Sequence, residues 1–299
     1  MTKVEIKECP ICSETSHEHF MYVTDHSISK EDFKLKKCQG CDLIFTFNPP
    51  SEKAAGPYYK SEDYISHSDT NKDLISKLYK IARGFMLGIK ERMIKQYAPG
   101  KKVLDYGAGT GFFMNHLKEL NYEVNGVEID PDARNFGIKN FGLNVGSPDD
   151  LFADHKSGRY DAISLWHVLE HLYDPLKYLH KFNSLLNKDG ALFLALPNLE
   201  SQDAKIFKDK WAAYDVPRHL WHFSPKTLAA MAKKAGFDVV KHRRLPFDPF
   251  YNCLLSARYE KQFFSIFKGL LVGFGSYVLS LFSVKQGSSI VYILKKSKT

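Results

Sequence analysis

The spacing of apolar positions along the chain changes repeatedly between short runs and helical periods. Short apolar runs that end in acid or glycine read as buried strands, as in Val103-Leu104 before Asp105 and Gly126-Val127 before Glu128. Residues 70 to 97 place Leu74, Ile75, Leu78, Ile81, Phe85 and Ile89 on one face of a helix. A second helix is expected over Thr227 to Ala235, capped by Ser224, opened by Pro225 and closed by Gly236. Phe237-Asp238-Val239-Val240 then begins a strand, and Ser288 to Leu294 forms the last one. Near the start, Leu43-Ile44-Phe45-Thr46-Phe47 alternates as a strand and stops at Asn48-Pro49-Pro50. Alternating strands and helices of this kind predict an α/β fold.

The first apolar run leads into Asp105-Tyr106-Gly107-Ala108-Gly109-Thr110-Gly111, with glycine at every second position. A side chain at Gly107 or Gly109 would stand where a ligand approaches the backbone, so the turn is suited to hold a nucleotide-like molecule at a strand's carboxyl end. A dinucleotide fingerprint would need its last glycine at 112, where Phe112 stands, and the Gly-Lys-Ser/Thr of a P-loop is absent. Glu128 follows Gly107 by 21 residues, where an acid accepts hydrogen bonds from ribose hydroxyls. Taken singly, each has a plainer reading: a tight turn, a helix-terminal acid at Asp105, a solvated charge at Glu128.

Together, acid-x-Gly-x-Gly-x-Gly resembles the first motif of the class I S-adenosylmethionine (SAM)-dependent methyltransferases. Three further segments resemble that family in order. They are Gly126 to Asp130, then Tyr160 to Pro175 with its Leu169-Glu170-His171 and Asp174-Pro175, then Gly190 to Asn198 with its glycine start and Pro-Asn end. The resemblance covers residues 100 to 200. It implies a Rossmann-like, seven-stranded, mostly parallel sheet with helices on both faces and an antiparallel last strand. It also implies SAM as cofactor, with Asp105, Gly107 and Gly109 at the methionine part, Glu128 at the ribose, Ile129 beside it, and Asp149 or Asp150 at the adenine edge. The segment before the first core strand often folds over SAM in this family, which makes Tyr64 a candidate lid residue. The alternative is that Tyr58, Tyr59 and Tyr64 cover the sheet edge.

Four of the five cysteines form two pairs, Cys9-x-x-Cys12 and Cys38-x-x-Cys41. Two such knuckles supply four thiolates at tetrahedral corners, which predicts a structural zinc with no open position for chemistry. Disulfide and redox readings lack a supporting context. Cys253 sits in an apolar stretch and reads as a small core residue. A zinc ribbon ahead of such a core is similar to the deoxysugar C-methyltransferases and their zinc-containing relatives. Those carry a further C-terminal domain, so a sugar acceptor does not follow from the ribbon.

Methyl transfer from a sulfonium needs alignment and removal of a proton from the acceptor, and histidine is the natural base at neutral pH. His167, His171 and His219 are the candidates, because their segments follow the fourth and fifth core strands. Glu170 has an alternative role as a brace or cap of the next helix. Some quinone O-methyltransferases resemble this segment with Glu-x-x-Glu-His, which leaves a second metal at His167, Glu170 and His171 as a further option. Arg218 has two readings, an anionic substrate group or a carboxylate such as Asp215.

The domain expectation is a zinc ribbon over 1–50, a helical lid or linker over 51–98, a SAM-binding core over 99–245, and an apolar insert with the last strand over 246–299. Within the insert, Phe263 to Phe282 carries one charge, Lys268. That length suffices to cross a bilayer. If the strands flanking it pair in one sheet, as in the family, both ends stay on the same side and a single crossing is excluded. The remaining readings are a helical lid, a membrane-surface contact, or a helical pair packed on the core or on another subunit.

Residues 201 to 299 hold 17 Lys and Arg against 6 Asp and Glu, while residues 1 to 200 hold 25 against 28. The basic third suits an anionic, lipid- or sugar-linked acceptor or a phospholipid surface, and equally a solvated basic face. The functional expectation is a SAM-dependent methyltransferase acting on a small molecule, with oxygen favoured as the acceptor atom. The alternatives are RNA methylation, which scattered basic residues do not favour, and a non-catalytic SAM-binding module. The N-terminus lacks a signal-peptide pattern, so a cytoplasmic protein is expected, with peripheral membrane contact through 263–282 as an option.

Overall fold

The computed structural model describes residues 2–59, 74–153, 157–261 and 263–298. The chain begins with three antiparallel strands, β1 (His17–Thr24), β2 (Asp32–Cys38) and β3 (Ile44–Thr46). Helix α1 (Leu74–Tyr97) leads into β4 (Lys102–Tyr106), α2 (Phe112–Glu119), β5 (Glu123–Val127), α3 (Pro131–Phe141), β6 (Asn144–Gly146) and α4 (Pro148–Ala153). There follow β7 (Tyr160–Trp166), α5 (Pro175–Leu185), β8 (Leu186–Pro197), α6 (Gln202–Phe207), β9 (Trp221–His222) and α7 (Pro225–Lys234). The chain closes with β10 (Phe237–Arg244), α8 (Asp248–Tyr259), α9 (Ser265–Phe282) and β11 (Ser289–Lys296).

Seven strands form one sheet in the order β10-β11-β8-β7-β4-β5-β6. The pairs among β4 to β8 are parallel, and β11 runs antiparallel between β8 and β10. This is the Rossmann-like sheet expected from the sequence. The order reverses beside β4, so the carboxyl ends of β4 and β7 diverge there and open a crevice.

Central strands are apolar throughout because both of their faces are covered. Along β8, Ala191, Phe193 and Ala195 face α1 and α2 through Met93, Ile94, Phe113 and Leu117. The alternate residues Leu192, Leu194 and Leu196 face α5 and α7 through Leu179, Phe182, Leu228 and Met231. Each fully buried side chain of this size contributes roughly 2 kcal/mol of transfer free energy. The helices start where their caps dictate. Asp130 accepts from Asp132 N and Ala133 N at α3, Asp174 accepts from Lys177 N at α5, and Ser224 and Thr227 form a capping box at α7.

The N-terminal strands are not set apart from this core. β3 pairs antiparallel with β9, in the register Ile44 to His222 and Phe45 to Trp221, and completes a four-stranded sheet β1-β2-β3-β9. Alternation predicts one exposed face for β3, yet Leu43, Ile44, Phe45 and Thr46 are all buried. The reason is that both faces are covered, Leu43 and Phe45 by the α5–α7 layer and Ile44 by Ala204, Phe207, Trp211 and Cys253, while β9 covers the edge. Helix α1 differs too. Phe85, expected on its buried face, is half exposed and packs on Phe247 with ring centroids 5.8 Å apart.

Candidate active site

Beyond β4 the chain turns through Gly107, Gly109 and Gly111, whose φ angles are +79°, +53° and +82°. L-residues resist that region, which accounts for glycine here. Gly107 N and Ala108 N donate to Val127 O at 2.8 and 3.0 Å and tie the loop to the tip of β5. A Cβ on Gly107 would lie 2.3 Å from Val168 Cγ2, so the loop runs against the segment that follows β7. At Gly109 a Cβ would meet nothing within 4 Å, and the loop there borders open space.

Glu128 is buried at the end of β5 and receives two backbone donors, Gly109 N on Oε2 at 2.7 Å and Asp130 N on Oε1 at 2.9 Å. A carboxylate has about four lone-pair sites, so hydroxyl donors remain accommodated. Asp105, buried on β4, accepts a hydrogen bond from Ser164 Oγ of β7 at 2.6 Å. Burial lifts the Asp105 carboxyl to about 6, against the Ser164 bond and the charge of Lys90. Two acids beside one open loop favour a cationic ligand.

The other expected cofactor residues are less uniform. Ile129 is 67% exposed at the rim. Asp149 and Asp150 lie in the first turn of α4. Asp150 Oδ2 accepts from Ser147 N and Ser147 Oγ at 2.7 and 2.9 Å, so this carboxylate holds the turn after β6. Asp149 faces solvent. Tyr64 lies outside the described residues.

Beside the loop, two segments bring three histidines around one buried carboxylate. His167 has a φ of +59°, a left-handed conformation that a non-glycine residue keeps only when its surroundings enforce it. Its Nε2 sits 2.9 Å from Asp248 Oδ2, at the start of α8, and its Nδ1 3.4 Å from Glu170 Oε1. Burial opposes the charged ring, but Asp248 and Glu170 outweigh it and lift His167 to about 10. Both ring nitrogens of His167 thus face carboxylates, a setting that favours the protonated ring.

Glu170 does not cap α5, whose cap is Asp174. Its carboxylate is buried, and neither oxygen has a hydrogen-bond partner among the described residues. Although burial disfavours the charge, the surrounding imidazoles hold the carboxyl below its ordinary value. The expected shared helical face of His167, Glu170 and His171 is not formed either. Leu169–His171 is a single 3-10 turn, and His167 precedes it.

His171 and His219 meet edge to face, with centroids 4.6 Å apart. Nδ1 of His219 lies 2.9 Å from Ala213 O, and Nδ1 of His171 lies 3.1 Å from Arg218 O. Donation to those carbonyls leaves both Nε2 atoms as acceptors. His219 Nε2 is 4.0 Å from Glu170 Oε1 and 3.9 Å from Asp215 Oδ2. Burial, then the neighbouring His219, push His171 down to about 4. One ligand atom each from Glu170, His171 and His219 falls within 4.8 Å of the others.

The N-terminal sheet supports this pocket directly. Thr46 Oγ1 donates to His219 O at 2.7 Å, and Thr46 N donates to Leu220 O at 2.9 Å. Arg218 forks onto Asp215 at 2.6 and 2.9 Å, reaches Asp25 of the first β-hairpin at 3.1 Å, and donates to Tyr58 O at 2.8 Å. It is a clamp between segments rather than a receptor for an anionic substrate. Asp248, Ser164, Thr46 and Asp25 were not foreseen as site residues, and no short-range signal marks them. Each acts on a partner between 59 and 193 positions away.

The four paired cysteines converge as well. Cys9 Sγ and Cys41 Sγ lie 3.4 Å apart, Cys12 Sγ and Cys38 Sγ 3.5 Å, and all four sulfurs fall within 4.8 Å with no disulfide formed. Zn–S bonds of about 2.3 Å place tetrahedral sulfurs about 3.8 Å apart, so the donor set fits zinc.

The family described as "Methyltransferase domain" matches residues 79–242. The ubiquinone biosynthesis O-methyltransferase of Xanthomonas campestris is 27% identical over 179 residues, covering 55% of this chain and 74% of that protein. A solved structure described as a sarcosine dimethylglycine methyltransferase from Galdieria sulphuraria superposes with a TM-score of 0.50 at 14% identity, covering 74% of this chain and 88% of that one. A SAM-dependent methyltransferase from Archaeoglobus fulgidus gives a TM-score of 0.49 at 21% identity, covering 75% of this chain and all of that one.

Proposed function

The chain belongs to the methyltransferase-domain family and is a SAM-dependent methyltransferase, and from that premise we propose that it methylates an oxygen of a small-molecule acceptor with His219 as the general base. The O-methyltransferase relative supports oxygen as the acceptor atom. The single observation that carries the choice of base is the hydrogen bond from His219 Nδ1 to Ala213 O, because it turns a lone pair at Nε2 toward the pocket.

When bound, SAM supplies a methyl group on a positively charged sulfur, open to in-line attack. The residues present fit it, since the loop at Gly107 leaves no room for a side chain and the loop at Gly109 borders open space. Asp105 and the loop glycines would orient the methionine part, and Glu128 would accept from the ribose hydroxyls. Ile129, exposed at the rim, would lie beside the ribose and Asp149 would reach the adenine edge, while Asp150 would hold the turn beneath it. His219 Nε2 would take the acceptor proton as the methyl group arrives, with Glu170 and Asp215 stabilising the resulting imidazolium. His171 is the alternative base, and His167, held between Asp248 and Glu170, would fix the position of the Glu170 carboxylate.

Zinc at Cys9, Cys12, Cys38 and Cys41 would complete the N-terminal sheet and fix β3 against β9. One zinc per chain by elemental analysis, lost in Cys9→Ser/Cys12→Ser, is the expected result.

A second reading has its own support. Glu170 is buried with no hydrogen-bond partner among the described residues, and one ligand atom each from His171 and His219 lies within 4.8 Å of its carboxylate. A divalent cation held there would bind the acceptor oxygen and lower its pKa, so that the proton would pass to solvent water rather than to His219. Activity that survives exhaustive chelation at a level matching the untreated enzyme supports the histidine reading, and loss restored by Mg2+ supports the metal.

The central experiment incubates the zinc-loaded protein with labelled SAM and hydroxylated aromatic acceptors, and reads a +14 Da product by mass spectrometry. His219→Ala should lower product formation by about 10²- to 10⁴-fold while leaving calorimetric SAM binding intact. SAM binding with no product on any acceptor would favour the non-catalytic module. Turnover that falls steeply with salt on RNA would favour nucleic acid.

A further inference from the structure

Helix α9 is assembled with its faces reversed. Its small residues, Gly269, Gly273, Ser276 and Ser280, are the buried ones. They lie against α8 so closely that a Cβ at Gly269 would come 2.9 Å from Leu254 Cα, and one at Gly273 would come 3.2 Å from Phe250 Cα. The opposite face shows its large apolar side chains to solvent, among them Phe267, Leu270, Leu271, Phe274 and Leu281. Aromatic residues stand out furthest at the two ends, with Phe263 94% exposed and Phe282 85% exposed. A contiguous apolar face of this size marks a contact with a partner or a membrane.

Charge and topology identify the partner. Residues 246 to 299 contain seven Lys or Arg and two acids. Both acids are engaged internally, Asp248 with His167 and Glu260 with Lys268 at 2.7 Å. Arg258 and Lys261 are exposed before the helix and Lys285 after it, so basic residues bracket the apolar face at both ends. The helix has the length and hydropathy of a membrane span. It cannot serve as one, because α8 follows β10 and the chain after α9 enters β11, and these two strands are paired neighbours. An apolar face bracketed by cations, with both ends returning to the same sheet, suits a helix lying in the interface of an anionic bilayer.

We propose that the α8–α9 hairpin docks this methyltransferase on the surface of membranes containing anionic phospholipid, with α9 parallel to the bilayer and its large apolar face sunk among the acyl chains. Asp248, the first residue of α8, touches His167, so the docked hairpin sets the histidine pocket beside the lipid surface. An amphiphilic acceptor then reaches the pocket from the bilayer. This last step rests on the methyl-transfer reading, whereas docking itself does not.

The test is co-sedimentation of the full chain with vesicles of phosphatidylcholine with and without phosphatidylglycerol, read alongside SAM calorimetry and thermal unfolding. The expected result is binding that strengthens with phosphatidylglycerol and weakens with salt. Phe267→Glu/Phe274→Glu should lower it at least about tenfold, with SAM affinity and melting temperature unchanged. Arg258→Glu/Lys261→Glu should remove the preference for phosphatidylglycerol. If the glutamate pair misfolds, Phe267→Ala/Phe274→Ala gives the same reading in weaker form. A chain that ignores both kinds of vesicle overturns the proposal. Self-association abolished by the Phe pair, with no vesicle binding, also overturns it and assigns the face to a second copy. Product formation with soluble acceptors tests methyl transfer separately, so failure of one leaves the other standing.

Discussion

The glycine-loop cradle and the histidine pocket adjoin, Gly107 lying against Val168, yet they are built by different means. The cradle is made of main chain and two carboxylates from adjacent strands, within residues 105 to 130. The pocket is made of side chains from the turn after β7, the loop before β9, the start of α8 and the N-terminal sheet. A cofactor shared across a family can be met by a fixed backbone motif. On the reading proposed above, an acceptor particular to one enzyme would be met by side chains that long-range packing brings together. Damage to the cradle should therefore appear in SAM affinity, and damage to the pocket in turnover.

The largest expected effect is on the pocket side. His219→Ala should lower kcat by about 10²- to 10⁴-fold while SAM binding stays within about twofold, as measured by single-turnover kinetics and calorimetry. A parallel loss of SAM affinity would erase the distinction between the two regions. On the cradle side, Gly107→Val adds a side chain whose first carbon already meets Val168 Cγ2 at 2.3 Å, in a backbone region that valine resists. Strain of about 1–3 kcal/mol should weaken SAM binding by roughly 10- to 100-fold.

The pH dependence of SAM binding sharpens the contrast. With its carboxyl raised to about 6, Asp105 is protonated below that pH in the ligand-free protein. A cationic ligand binds the ionised form, so the proton must leave first. SAM affinity should be constant above pH 6 and fall roughly tenfold per unit below it. Asp105→Asn should flatten the profile, and calorimetry in buffers of different ionisation enthalpy should register proton release near pH 6.

The smallest effect probes the seam between the two sheets. Thr46→Val removes the bond to His219 O, which costs about 1 kcal/mol. It should lower kcat several-fold with little change in SAM affinity, as read by steady-state kinetics beside calorimetry.

The same contrast explains what could be read from the sequence. The glycine loop, Glu128 and the alternating strands are local patterns, and each is present in the fold. The spacing of Cys9, Cys12, Cys38 and Cys41 is equally local, and their sulfurs meet. His167 is visible as a residue but its carboxylate partner is not, because Asp248 lies 81 positions away. Glu170 looked like a cap from its neighbours, but the layer behind it decided otherwise and buried it among imidazoles. Arg218 left two readings open until Asp25, 193 positions earlier, came within 3.1 Å. Charge state and partner choice depend on tertiary contacts, which residue spacing does not encode.

The two-residue pairing of β3 with β9 has a consequence for chimera design. A splice at the Pro50–Ser51 boundary would sever a shared sheet, leaving one fragment with an uncovered edge and the other with a slack loop around His219. Transplanting the cysteine-bearing piece onto another scaffold therefore means carrying residues 215–224 with it.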